Sequence, residues 1–337
     1  MTRRDLTLWL SGGLSVLLLG IGGVTTVPYV ELSPGPAINT LGLSQGKDVL
    51  GITGAKTYAT EGELDLTTVS VRDKLTLFEA LKGWVSSRDA VIPREFVYPD
   101  DKSAAENEAE TQQEMTTSQS AATGAALTQL GLSRVKVQTV TKGGGSDGAL
   151  KVGDVIETID GTKVFGPGPL RTLVRKHAIG EKVVVGYRRA GVDRTSTITT
   201  GASQDKPVKA ALGIVTELTS DVKVDITLSD IGGPSAGLMF ALGIIDKLGP
   251  ASLTGGRHIA GTGTIDLDGV VGPIGGIAEK LLGARDKGAT VFLVPVDNCR
   301  EAASHHPKGL TLVRVGSLQD ALNGLAAVRA GKTPRSC

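Results

Sequence analysis

Gly233-Pro234-Ser235-Ala236-Gly237 is the stretch whose reading decides this chain. It follows another glycine, Gly232, and opens an apolar run from Leu238 to Leu248 that stops at Gly249-Pro250. The pattern predicts a buried helix with Pro234 at its first position and Gly249 just past its end. A serine in the first turn of such a helix fits two roles. Its hydroxyl can cap an orphan backbone N–H. It can equally be a nucleophile whose oxyanion would sit over the positive end of the helix.

Downstream, Ile277, Lys280, Leu281 and Ala284 fall at helical spacing on one face, with Glu279, Arg285 and Asp286 expected on the other. Burying a lysine in an apolar stripe disfavours its charged form and lowers its pKa. A neutral amine can then take the proton of a serine hydroxyl. The rival reading is a lysine that runs its stem along the stripe and keeps its head in water. Spacing alone leaves both open.

The two segments together carry a family resemblance. Gly233-Pro234-Ser235-Ala236-Gly237 resembles the nucleophile motif of Lon-type proteases. Thr262-Gly263-Thr264-Ile265, Gly269, Pro273-Ile274-Gly275-Gly276-Ile277 and Glu279-Lys280-Leu281-Leu282 resemble the motif that carries the base in that family. Ser235 and Lys280 are 45 positions apart, close to the family's separation. The resemblance covers about Leu212 to Leu325. It implies Ser235 as nucleophile, Lys280 as base and Thr262 as the hydroxyl that holds the amine. Many Lon proteases carry an acidic residue just before Gly-Pro-Ser. Here Ile231-Gly232-Gly233 fills that stretch, and the nearest acid is Asp230. In the implied acyl transfer, the Ser235 amide and one from the Gly232-Gly233 turn would hold the oxyanion. Pro234 has no N–H to give.

Two rivals are weighed against this reading. Gly233-Pro234-Ser235-Ala236-Gly237 also fits Gly-x-Ser-x-Gly, the elbow of α/β-hydrolases, with His258, His305 or His306 as base. That elbow needs a strand running straight into the serine, whereas a loop from Ser229 to Gly233 intervenes. The other rival is an inactive, membrane-tethered scaffold that only binds peptides.

The 337 residues carry a net charge of +1, so no global field or basic block with interleaved aromatics argues for nucleic acid. Residues Leu6 to Val30 lack charge, and a bilayer span needs ~20 apolar residues. Arg3 and Arg4 precede this stretch and Glu31 follows it. The expectation is a retained single-pass anchor with the N-terminus cytoplasmic and the rest extracytoplasmic; a cleaved signal peptide is the alternative. Cys299 and Cys337 are far apart and lack His or Cys at metal spacing, so neither a disulfide nor a metal is expected. No cofactor is expected. Lon enzymes usually carry an ATPase, but no Gly-x-x-x-x-Gly-Lys-Ser/Thr occurs here; Gly331-Lys332-Thr333 has Ala326 where the first glycine should be.

Residues 31–128 read as strands (around Asp48–Thr53 and Leu64–Val71) and helices (Leu75–Ser86, Ala121–Leu130). Gly62 to Thr68 is matched to a strand that precedes the nucleophile in the Lon resemblance, which would make the next domain an insertion. The polar run from Asp100 to Thr123 reads as a charged surface helix or a flexible linker. Residues 129–203 resemble a bacterial protease-associated PDZ domain through Leu150, Gly153-Asp154, Ile156, Ile159 and Gly161. Such a domain leaves a sheet edge to which an extended peptide adds. Gly131-Leu132 is expected to hold the peptide carboxylate. Residues 208–330 would form the proteolytic domain. The expected whole is a tail (1–5), a transmembrane helix (6–30), a PDZ-like β domain and a Lon-type α/β domain, α+β or α/β in class. Its partners would be polypeptide substrates and the membrane, with a homo-oligomer left open.

Overall fold

The computed structural model describes residues 3–98, 102–228 and 231–337. Helix α1 (Arg3–Val24) comes first, and its Thr7–Val24 stretch is apolar and long enough to cross a membrane. A signal sequence has the same character.

The chain next lays down strands Tyr29–Asn39, Leu50–Thr53 and Glu63–Arg72, the first and last paired antiparallel. Helix α2 (Leu77–Val85) follows, started by a reciprocal Thr76–Glu79 capping box, then strand Ala90–Pro93. Helix α3 (Ala104–Gln129) opens on a Ser103–Glu106 box. It is one continuous helix, and the run expected as a solvated face or linker is partly interior. Met115, Ser118 and Ala122 are buried against the later helix Gly237–Leu248. Small residues at helical spacing let the helices approach closely, a pattern that low hydropathy conceals in sequence.

An antiparallel sheet interrupts the larger unit. Its strands run in the order 192–199, 182–189, 155–159, 134–140, 214–219, and helix α4 (Pro167–Val174) packs on it. Strand Ile214–Thr219 was expected with the proteolytic unit beginning at 208. It hydrogen-bonds along Arg134–Val140 instead, so the inserted sheet extends past 203. Alternation shows a strand but not the sheet that receives it.

Strand Lys223–Ile226 returns to pair with Leu50–Thr53. Helix α5 (Gly237–Leu248), strand His258–Gly261, α6 (Ile277–Lys287), strand Val291–Pro295, α7 (Cys299–Ser304), strand Thr311–Val315 and α8 (Leu318–Arg329) complete the chain. The principal sheet runs Thr311–Val315, Val291–Pro295, His258–Gly261, Glu63–Arg72, Tyr29–Asn39, Ala90–Pro93. His258–Gly261 pairs parallel with both Val291–Pro295 and Glu63–Arg72. Helices α3, α5 and α8 share a core with one face, through Leu64, Leu66, Ile259 and Leu293. Helix α6 covers the other, through Ala260, Phe292 and Val294. The result is a three-layer sandwich of mixed helix and strand.

Cys299 and Cys337 form a disulfide, contrary to the expectation from their separation of 38 positions. Strand Thr311–Val315 brings the C-terminal segment back: the Arg314 amide donates to Arg335 O at 2.9 Å. Proximity made by a sheet edge cannot be counted along the chain.

Because the middle strand of the sandwich comes from residues 63–72, a fragment beginning at residue 206 should not fold. It would expose Ile259 and Leu293 where Leu64 and Leu66 now cover them. Poor dispersion of its amide NMR spectrum is the expected result, against good dispersion for residues 26–337.

Candidate active site

Ser235 lies in a turn ahead of α5, whose N-cap is Ala236, so Pro234 precedes the helix and does not open it. Gly233 holds φ at +83°, a conformation that favours glycine and turns the chain so that Ser235 faces the sheet. Gly232 is needed for space: a Cβ there would come within 2.2 Å of Thr111 Cγ2 on α3. Helix α3 then grips the loop at two points. The Gly233 amide donates to Thr111 O at 3.0 Å, and Ser118 Oγ donates to Pro234 O at 2.9 Å. Nothing in the sequence marks these α3 contacts except small polar residues on its otherwise alanine-rich inner face. Asp230 lies outside the described residues.

The base candidate arrives from the opposite side of the sheet. Lys280, in the first turn of α6, is only 3% exposed. Its Nζ lies 2.9 Å from Ser235 Oγ and 3.2 Å from Thr262 Oγ1. Thr262 Oγ1 donates to Ser235 O at 3.0 Å, and the Gly263 amide donates to the same carbonyl at 2.8 Å. Thr262 therefore orients both partners, accepting from the amine while fixing the serine backbone. Desolvation pushes the Lys280 ammonium down to about 8, while the negative charge of Glu279 works the other way. Glu279 was expected on the solvent side. It is buried, and desolvation raises the pKa of its carboxyl.

Among the described residues, the amides of Gly232, Ser235 and Ala236 have no acceptor. Gly233, expected to share in an oxyanion site, has its amide committed to α3. A cavity of about 350 Å³ opens beside Ser235, walled by residues 66–71, Met115 and Ile231-Gly232-Gly233. Along Glu63–Arg72, His258–Gly261 reaches only residues 63–66, so Thr67–Val71 keep one edge without a strand partner among the described residues. The arrangement has the parts of a nucleophilic acyl transfer: a hydroxyl, a weakly basic buried amine, free amides at the positive end of α5 and an open strand edge.

Residues 219–325 match the C-terminal proteolytic domain of Lon protease (S16). The chain carries a Lon-type proteolytic domain. Residues 109–200 match a PDZ domain, so the Lon-type domain is accompanied by a PDZ domain in the same chain. Lon protease 2 of Bacillus subtilis strain 168 is 33% identical over 93 residues, covering 28% of this chain and 16% of the relative. Lon protease 2 of Herpetosiphon aurantiacus is 39% identical over 93 residues, covering 27% and 11%. Lon protease 3 of Sorangium cellulosum is 30% identical over 149 residues, covering 42% and 18%. The chain thus spans less than a fifth of each of these relatives. The solved PDZ domain of an SdrC-like protein from Listeria innocua is 23% identical, covers 25% of this chain and 93% of that one, and superposes with a TM-score of 0.24.

Within the PDZ domain, Gly131 and Leu132 are not placed to hold a carboxylate. The Gly131 amide donates to Thr128 O and the Leu132 amide to Leu127 O, closing the C-terminus of α3. A groove of about 490 Å³ does open at residues 131–134, and another of about 560 Å³ lies between α4 and the edge strand Ile214–Thr219. Leu170, Val174, Leu212 and Gly213 line the second, together with Leu267 from the Lon-type domain. Leu267 sits on a hairpin whose Asp268 pairs with Arg171 of α4.

The histidines do not serve Ser235. His258 contacts Asp65, His305 sits by Ser304, and His306 by the Leu310 carbonyl. No strand runs into Ser235, so the α/β-hydrolase elbow is absent. Glu63, Asp65 and His258 could together ligate a metal, but Lys287 Nζ already stands 3.0 Å from Asp65 Oδ2 as a cation.

Replacing Lys280 by Met should stabilise the fold, because the folded-state pKa of about 8 lies below the ordinary 10.5. Folding must then neutralise or desolvate the ammonium, at a cost of ~3 kcal/mol at pH 7, less whatever its hydrogen bonds return. The unfolded chain binds more protons between those two values, so wild-type stability should climb with pH from about 8 to 10.5, and Lys280→Met should lack that climb. Urea denaturation across this pH range measures both.

Proposed function

We propose that this chain is a membrane-anchored, ATP-independent serine endopeptidase that cleaves flexible or unfolded extracytoplasmic polypeptides with a Ser235–Lys280 dyad. The observation that carries this reading is the 2.9 Å approach of a desolvated amine to the hydroxyl of a serine whose backbone carbonyl Thr262 also holds. Lys280, neutral, takes the Ser235 proton as Oγ attacks a peptide carbonyl. The Ser235 amide, aided by the free amides at Gly232 and Ala236, receives the oxyanion at the head of α5. Lys280 returns the proton to the leaving amine. Water then repeats the cycle on the acyl-enzyme, activated by the same amine.

The unpaired edge of Thr67–Val71 suits substrate that adds as an extended strand, which requires an unfolded segment. That requirement, with no Gly-x-x-x-x-Gly-Lys-Ser/Thr in the sequence, supports cleavage without ATP. Arg3 and Arg4 ahead of the apolar helix support a cytoplasmic N-terminus. The Cys299–Cys337 disulfide supports an oxidising compartment for the rest. The PDZ groove takes an extended peptide along Ile214–Thr219, where that peptide also meets Leu267 of the Lon-type domain. The PDZ domain thereby recruits substrate or governs access to the site.

Digestion of casein by the purified chain without nucleotide tests the reading. Ser235→Ala and Lys280→Ala should each lose activity by a factor on the order of a thousand with folding intact. Retained activity in either would overturn the dyad. Wild-type kcat should rise with pH through a midpoint of about 8, since the neutral amine is the active form. A requirement for added ATP would remove the ATP-independent part alone.

A further inference from the structure

Helix α2 is built inside out. Its inward residues are small: Ala80 and Gly83 are buried, and a Cβ at Gly83 would come within 2.4 Å of Val91 Cγ2. Its bulky apolar residues lie on the outer face, where the Trp84 ring also rests on Tyr29 and its Nε1 donates to Val91 O at 3.3 Å. Leu77, Phe78, Leu81, Trp84 and Val85 share one helical face, and Trp84 and Val85 are 51% and 85% exposed. Scattered exposed leucines are ordinary on protein surfaces, but five large apolar residues on one face are not.

The position of this face says what covers it. The chain leaving α1 is hydrogen-bonded to the start of α2: the Leu77 amide donates to Thr25 O at 3.2 Å and the Val27 amide to Leu75 O at 2.8 Å. The Phe78 ring lies against Gly22 near the end of α1, where an added Cβ would be 3.0 Å from Cζ. The end of α1 and the start of α2 are bonded directly side by side, so wherever α1 emerges from a bilayer, α2 begins at that depth. Phe96 is 75% exposed on the turn whose Arg94 amide donates to Pro28 O, just past α1. Tyr29 and Trp84 meet edge to face at 5.4 Å, and aromatic residues of this kind concentrate at membrane–water interfaces. Lys74 and Lys82, both exposed, flank the face with charge suited to anionic headgroups.

We propose that α2 lies in the membrane interface, with Phe78, Leu81, Trp84 and Val85 seated at the boundary of headgroups and acyl chains. This rests on α1 spanning the membrane. Two attachments, one spanning and one lying flat, would fix how the protease unit is tilted over the bilayer, which a single helix does not do.

The chain has two tryptophans, Trp9 and Trp84, so Trp9→Phe leaves Trp84 as sole reporter. The full-length variant is reconstituted into vesicles of phosphatidylcholine and phosphatidylglycerol, with bromine placed near the headgroup end or the methyl end of the acyl chains. Headgroup-end bromine should quench Trp84 emission roughly twofold and the methyl-end lipid distinctly less, as interfacial depth requires. Adding Leu81→Asp and Val85→Asp should abolish most of the quenching while the protein still floats with the vesicles. Co-flotation with unquenched, water-like Trp84 emission overturns the interfacial placement and leaves the anchor standing. Blue-shifted, unquenched emission that depends on protein density assigns the face to a second copy of the chain and likewise overturns it. Failure to float at all overturns the anchor, and this inference with it.

Discussion

A primary amine that is 3% exposed governs what the rest of this protein must provide. An ammonium removed from water loses more than any single neutral hydrogen bond restores, so the site must accept the neutral form or supply many partners. Among the described residues it supplies two hydroxyls and no carboxylate at contact distance: Ser235 Oγ and Thr262 Oγ1 are the partners at Nζ. Stability and chemistry therefore pull in opposite directions at Lys280. The same desolvation that weakens the fold brings the amine into a range where it can accept a proton near neutral pH.

Holding that pair together takes both ends of the chain. Glu63–Arg72 runs parallel to His258–Gly261, and Thr67 Oγ1 donates to Gly261 O across a sequence separation of 194 residues. This pairing sets the floor under Thr262 and, by stopping at Leu66, leaves one edge of Thr67–Val71 without a strand partner among the described residues, beside Ser235. The PDZ domain is thus an insertion between strands of one sheet. Its two connections to the protease unit are anchored in that unit's own core.

Helix α3 ties the two domains mechanically. One part of it holds the Ser235 loop through Thr111 and Ser118. Its C-terminus, closed by Gly131 and Leu132, delivers the chain into the PDZ sheet. The hairpin at Leu267 makes a second connection, since it starts from the Thr262-Gly263 segment that bonds Ser235 and ends in the peptide groove. A ligand in that groove is therefore two short, well-packed paths from the serine. The exposed apolar face of α2 shares no residue with either path.

The Gly-Pro-Ser-Ala-Gly stretch, the lysine in an apolar stripe and the long uncharged N-terminal run were legible without coordinates, because each is a local pattern set by helix periodicity or bilayer thickness. So was the string from Leu150 to Gly161, through its resemblance to a PDZ domain. Where local patterns were carried too far, they failed for one shared reason. Gly131-Leu132 looked free to bind a carboxylate, but their amides close a helix. Gly233 looked free to bind an oxyanion, but its amide is spent on α3. Glu279 looked solvated by helical phase, yet a neighbouring element covers it. The sheet that receives Ile214–Thr219, the partner of Cys299 and the buried side of α3 are likewise contacts between distant segments. Sequence by itself determined which residues have the chemistry and the helical phase to act. Only the tertiary structure decided which backbone amides are still free and which side chains meet, because hydrogen-bonding capacity is consumed by whatever the fold happens to bring alongside.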